Sequence, residues 1–299
     1  MQRKITNHSR RKFIKNSLAI AGSLSVLGFG AQGFAKTLKS PKEQTMNLTK
    51  KAQQTFETLF GKVDIAQVPL AKTDPEFFSN YANFAFDDVL QHSDLNLQER
   101  LLIILASLVA IPALGEYQTI LGAALKNNVS PVMIKEVVYQ ATPYVGMGKV
   151  IDFINATNEA FVANNIALPL QPQATTNRQN RKDKGLATQR ALFGEAIDKG
   201  NAAAPADVKH IREFLSANCF GDYYTRTGLD LKFRELLTFV YILSMGGADA
   251  QVRAHVAGNL RIGNDRARLV SVVTALVPYI GYPRSLNALG TIDELAPYS

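Results

Sequence analysis

An all-α fold made of two tandem copies of one helical bundle is predicted by three observations. From Lys51 onward apolar residues recur at spacings of three and four, the period of a helix with one buried face. No stretch alternates apolar and polar residues over a strand's length, and no hairpin signal joins two such stretches. Most tellingly, the chain repeats itself. Thr58-Leu59-Phe60-Gly61 matches Ala191-Leu192-Phe193-Gly194, and Leu95-Asn96-Leu97 matches Leu229-Asp230-Leu231, with Arg100 falling on Arg234. Leu125-Lys126 matches Leu260-Arg261, and Pro143-Tyr144-Val145-Gly146 matches Pro278-Tyr279-Ile280-Gly281. The first copy is expected over residues 51–168 and the second over 185–299. Between them, residues 169–184 (PLQPQATTNRQNRKDK) have the polar, Pro- and Gln-bearing composition of a linker. Two copies sharing one apolar face make an internal pseudo-dimer.

The first 35 residues stand outside this repeat. Arg10-Arg11 within Ser9-Arg10-Arg11-Lys12-Phe13 is a twin-arginine export motif, and a weakly apolar run from Ser17 to Phe34 follows it. That run is too short and small-residued for a membrane span, and Gly33-Phe34-Ala35 places cleavage after Ala35, so a periplasmic protein is expected. The leader holds six of the 33 Lys and Arg and none of the 25 Asp and Glu, so the formal +8 falls to +2 without it. The mature chain has no basic stripe interleaved with aromatics, which argues against nucleic acid as a partner. Residues 36–50 read as a polar lead-in.

Helix starts and stops are marked alike in both copies. Asn96 with Glu99 reads as a capping box, and Asp230 is the equivalent N-cap. Ser130-Pro131 reads as an N-cap followed by N1 proline, with Asp265 at the matching place. Gly146 and Gly281 let the chain turn after each third helix.

Chemistry is concentrated in the second copy. The lone cysteine, Cys219, permits no intramolecular disulfide, and no His or Cys pair has zinc-ligand spacing, so no preformed zinc site is expected. Gln251 and His255 are four apart and share a helix face. The preceding helix, Leu231 to Ser244, ends at Gly246-Gly247 and is expected to fold back on that face, bringing Glu235 towards His255. A carboxylate that fixes the imidazole tautomer makes the histidine a general acid or base. Arg226 or Arg234 is expected to hold a substrate carboxylate, and Tyr279 to donate a hydrogen bond at the groove mouth. The first copy has Ile120 in place of His255 and Glu116 in place of Gln251, so one site per chain is expected.

At these residues the sequence resembles the carboxymuconolactone decarboxylase family, which includes alkylhydroperoxidase D. The pattern is Arg234-Glu235-Leu236, Gly246-Gly247, Gln251-x3-His255, Gly263, then Tyr279-x-Gly281-x-Pro283 with Ala288. The resemblance implies an alkylhydroperoxidase D-like helical fold that self-associates, here as a trimer of two-domain chains. It also implies a lyase that needs no cofactor and acts on a small carboxylated or lactone-like molecule. The peroxidase branch carries a C-x-x-C pair whose positions here are Ala248 and Gln251, so disulfide-cycling activity is not expected. A non-catalytic ligand-binding or assembly protein of the cell envelope is the other reading. The low density of chemical groups favours it, while the survival of Glu235, Gln251 and His255 in one copy favours the enzyme.

Overall fold

A computed structural model describes residues 46–298, and every described regular element is a helix. The leader expected over residues 1–35 lies outside the described residues. The chain divides into two compact units, the first ending at Asp88 and the second beginning at Val89.

In the first unit, α1 (Lys50–Phe60), α2 (Pro69–Thr73) and α3 (Pro75–Phe86) form a small cluster. Phe56 sits among Phe60, Phe78 and Phe86 at centroid separations of 4.7 to 6.2 Å. Thr49 caps α1 by accepting from the Ala52 amide at 3.0 Å.

The second unit holds the eight helices that repeat. They are α4 (Leu97–Ala110), α5 (Leu114–Lys126), α6 (Pro131–Val145) and α7 (Met147–Ala163), then α11 (Leu231–Met245), α12 (Asp249–Arg261), α13 (Arg266–Ile280) and α14 (Tyr282–Leu295). Between the sets come α8 (Arg181–Phe193), α9 (Ala196–Ala202) and α10 (Lys209–Phe214), the last running into a π-helical segment, Leu215–Tyr224. No described helix is long and apolar enough to cross a membrane.

Helices α4 and α11 are the centre of the pseudo-dimer. Every residue from Leu101 to Ala110 and from Arg234 to Ser244 is buried, the pattern of a helix enclosed on all sides. The two pack together, α4 also meets α13, and α11 also meets α6. The copies therefore share one core, which is why a single compact unit contains both sets. Residues 170–177 form no regular element and lie along the second copy. Thr227 N–H donates to Gln173 O at 2.9 Å, and the hydroxyls of Thr175 and Thr176 donate to Thr225 O and Gly221 O. Helix α8 begins at Arg181, inside the expected linker.

Caps follow the sequence with two differences. Asn96, Asp230 and Asp265 each accept from an amide three residues on, at 2.7 to 2.9 Å. Ser130 makes no side-chain cap; Pro131 at N1 has no amide to satisfy there. Glu99 does not close a capping box, because its carboxylate is taken by Arg268 of the other copy.

Two glycines set how closely α8 meets the π-helical segment. A Cβ on Gly185 would lie 1.9 Å from Ser216 O, and one on Gly221 would lie 2.1 Å from Arg181 O. Both obstacles are backbone, so relief requires the helices to separate. Gly185→Ala is expected to lower stability by about 1–3 kcal/mol through overpacking. Gly122→Ala, in α5 with nothing within 4 Å of its Cβ, is expected to raise it by about 0.5–1 kcal/mol. Urea midpoints for the two variants check both signs.

Candidate active site

Helix α11 places Glu235 on its second turn, and the Gly246-Gly247 turn returns the chain so that α12 packs against it. Both glycines have φ near +70°, a region other residues enter at a cost. The consequence is a close pair: His255 Nδ1 lies 2.6 Å from Glu235 Oε1. Glu235 is fully buried, and the His255 side chain keeps 11% of its surface open.

The carboxylate is held from every side. Tyr224 donates to Glu235 Oε2 at 2.6 Å. Burial, then the negative charge of Glu235, pushes the Tyr224 phenol well above its ordinary value, so it stays a donor. Asn259 donates from one amide nitrogen to Glu235 O and His255 O, tying α11 to α12. Gly258 supplies the room, since a Cβ there would lie 2.5 Å from Glu235 Oε1. A carboxylate that is ionised only accepts, which assigns the hydrogen to Nδ1 and the lone pair to Nε2. Among the described residues Nε2 has no protein hydrogen-bond partner. Phe193 and Tyr144 meet the imidazole edge-on at 5.3 and 6.3 Å.

The structure relocates three of the expected substrate-binding residues. Arg234 is fully buried and donates to Gln140 Oε1, Glu136 Oε2 and the carbonyls of Arg226 and Thr227. Arg226 makes a bidentate pair with the same Glu136, at 2.8 Å for both Nε and NH2. Arg234 is thus fully committed to Glu136, Gln140 and backbone carbonyls, while Arg226 pairs with Glu136 through Nε and NH2 and, among the described residues, keeps NH1 without a protein partner. Tyr279 lies near Arg100, and its first-copy counterpart Tyr144 stands beside His255. Gln251 is exposed on α12, one turn before His255.

The site is therefore composite, and the sequence reading missed its first-copy half. Glu136, Gln140 and Tyr144 repeat every four residues on α6 and form one stripe facing α11, a pattern visible in the sequence. Gln140 donates to Arg234 O and Thr238 Oγ1, and Thr238 Oγ1 is 2.5 Å from Tyr224 Oη and donates to Tyr144 Oη. A continuous buried polar chain so runs from Glu136 through Arg234, Gln140, Thr238 and Tyr224 to Glu235 and His255.

At the pseudo-equivalent place this chain has become apolar. Leu101 and Ile120 occupy the positions of Glu235 and His255, both 1% exposed, and Ala123 takes the position of Gly258. Where the carboxylate is lost, the glycine that makes room for it is lost as well.

Cys219 is buried in the π-helical segment, 3.4 Å from Tyr144 Oη. Burial pushes its thiol from 9.0 up to about 12. At pH 8 the native thiol therefore carries about a thousandfold less thiolate than an ordinary one. Iodoacetamide at pH 8 is expected to alkylate it about a thousandfold more slowly than in the guanidinium-unfolded chain. A ratio below about ten would overturn this.

Two cavities, of about 400 and 460 Å³, lie elsewhere. One is bounded by α6, α7 and the linker; the other by the Gly246-Gly247 turn and α14. Neither is lined by His255.

The chain belongs to the carboxymuconolactone decarboxylase family, whose profile matches residues 75–159 and 210–294, together more than half of its length. A solved structure put forward as a gamma-carboxymuconolactone decarboxylase subunit of Burkholderia xenovorans LB400 is similar at 17% identity. That match covers 79% of this chain and 93% of the other, with a TM-score of 0.47. Comparison with curated proteins finds no match.

Proposed function

We propose that this protein is a cofactor-independent lyase that moves a proton on a small carboxylated or lactone-like molecule, with His255 as acid and base and Glu235 as its positioning residue. The observation that supports it is the 2.6 Å bond from Nδ1 to a fully buried carboxylate, which leaves Nε2 unbonded. In the forward step the C–C bond to a substrate carboxylate breaks and carbon dioxide leaves. The electron pair passes into a conjugated lactone carbonyl. Nε2 takes up a proton from solvent and delivers it to carbon, which returns the imidazole to its neutral form. Glu235 stabilises the imidazolium before transfer. Gln251, on the same face, is the proposed substrate contact that remains exposed.

The second reading is a non-catalytic binding or assembly protein. It is favoured by the two cavities described above, which offer a ligand room outside the His255 site. We further propose export by the twin-arginine motif at residues 9–13 and self-association, for which Val208, Ile211 and Phe214 supply exposed apolar surface.

The test is release of carbon dioxide from a panel of carboxylated unsaturated lactones, with His255→Ala alongside. Release by the wild type and loss in the variant are expected. Absence of turnover across the panel transfers the assignment to the non-catalytic reading.

A further inference from the structure

The cavity of about 400 Å³ beneath the linker has a chemistry of its own. Its wall from α6 carries Lys135, which is only 4% exposed. An ammonium has three donors. One goes to Asn158 Oδ1, and among the described residues no carboxylate pairs with it. The neighbouring acid, Glu136, is already saturated by Arg226 and Arg234. The faces of Tyr139 and Phe161 lie 5.7 and 5.6 Å from the nitrogen and give it partial compensation. Burial pushes the amine down to about 8, so at neutral pH it is still largely charged.

A buried cation without a counter-ion is costly. Here it borders a space of the size that holds a small organic molecule. The cavity is also lined by Arg226, whose side chain is 18% exposed and whose guanidinium stands over Tyr139. Leu168 and the linker residues Leu170, Gln171 and Gln173 close the cavity, bringing apolar and amide-bearing residues to its lining. Positive charge at one end and apolar surface beside it define the occupant.

We infer that this cavity is a binding site for a small organic carboxylate with an apolar body, its carboxylate held by Lys135 and Arg226. The site is separate from His255 and does not depend on the proposed lyase reading.

The test is calorimetric titration of the full chain at pH 7 with benzoate, and with benzamide as the uncharged counterpart. Benzoate is expected to bind and benzamide to bind at least about tenfold more weakly. Lys135→Met, which keeps the length and removes the charge, is expected to weaken benzoate at least about tenfold. Leu170→Trp fills the cavity from the linker and leaves both cations in place, so it is expected to abolish binding even if Lys135→Met misfolds. His255→Ala is expected to leave binding unchanged. Wild-type affinity in Lys135→Met or Leu170→Trp, equal binding of benzamide, or no benzoate binding at all would each overturn the inference. Loss in His255→Ala with retention in Lys135→Met would move the carboxylate to the histidine site, overturning this inference while supporting the lyase reading.

Discussion

Glu136→Ala is expected to destabilise the protein by about 3–5 kcal/mol, the cost of leaving a buried charge without its partner. Arg234 is fully buried, and Glu136 is the acid it meets, at 2.9 Å. Arg226 would lose all three of its bonds to the same carboxylate. The Nε of Arg234 already has no partner, so the arginine has no spare protein acceptor to fall back on. For a unit of this size the expected fall in melting temperature is about 6–20 °C. Adding Arg234→Met to Glu136→Ala should recover much of the loss, because an apolar side chain suits the vacated space better than an unpaired guanidinium. A loss below about 1 kcal/mol for Glu136→Ala would show that the two arginines find other acceptors. This clamp joins α6 of the first copy to α11 of the second, so its loss should also loosen the platform under Glu235.

Glu235→Gln is the second large effect, and it should separate orientation from packing. The amide keeps the shape of the carboxylate but presents an NH₂ group either to Tyr224 or to His255. One of the two donors then loses its acceptor, and the imidazole is free to take the other tautomer. Turnover of any lactone found active is expected to fall by about 10²–10⁴, the range associated with a positioned acid or base. His255→Ala should fall into the same range, and the double variant should be little worse than either single one, since the two act as a unit. Nitrogen-15 spectra of the imidazole give a check that needs no substrate. In the wild type the hydrogen should reside on Nδ1, and in Glu235→Gln that preference should be lost. An unchanged tautomer in the variant would mean that the surrounding rings, not the carboxylate, orient His255.

Much of this could be read from the chain because helical periodicity is local. Spacings of three and four fixed the helices, and Gln251 and His255 fell on one face because they are four apart. Gly246-Gly247 announced the reversal that brings Glu235 to His255. The repeat of Pro143-Tyr144-Val145-Gly146 at Pro278-Tyr279-Ile280-Gly281 announced the tandem organisation. What went astray were partners far apart in sequence. The first copy looked emptied of chemistry because Ile120 stands for His255. Its polar stripe on α6 instead serves the second copy's site. Arg226 and Arg234 looked available for a substrate because the acid that binds them both is distant in sequence; Glu136 reaches them from about ninety residues away.

The sequence alone therefore determined an all-α chain of two related bundles, with its ionisable pair on α11 and α12. The tertiary structure decided which copy completes that pair, which tyrosine stands beside the imidazole, and which cations are already neutralised. The physical reason is that a helix sets its own faces through backbone geometry. The helix each face meets depends on how two whole bundles bury their apolar surfaces against each other, and that information is spread over the entire core.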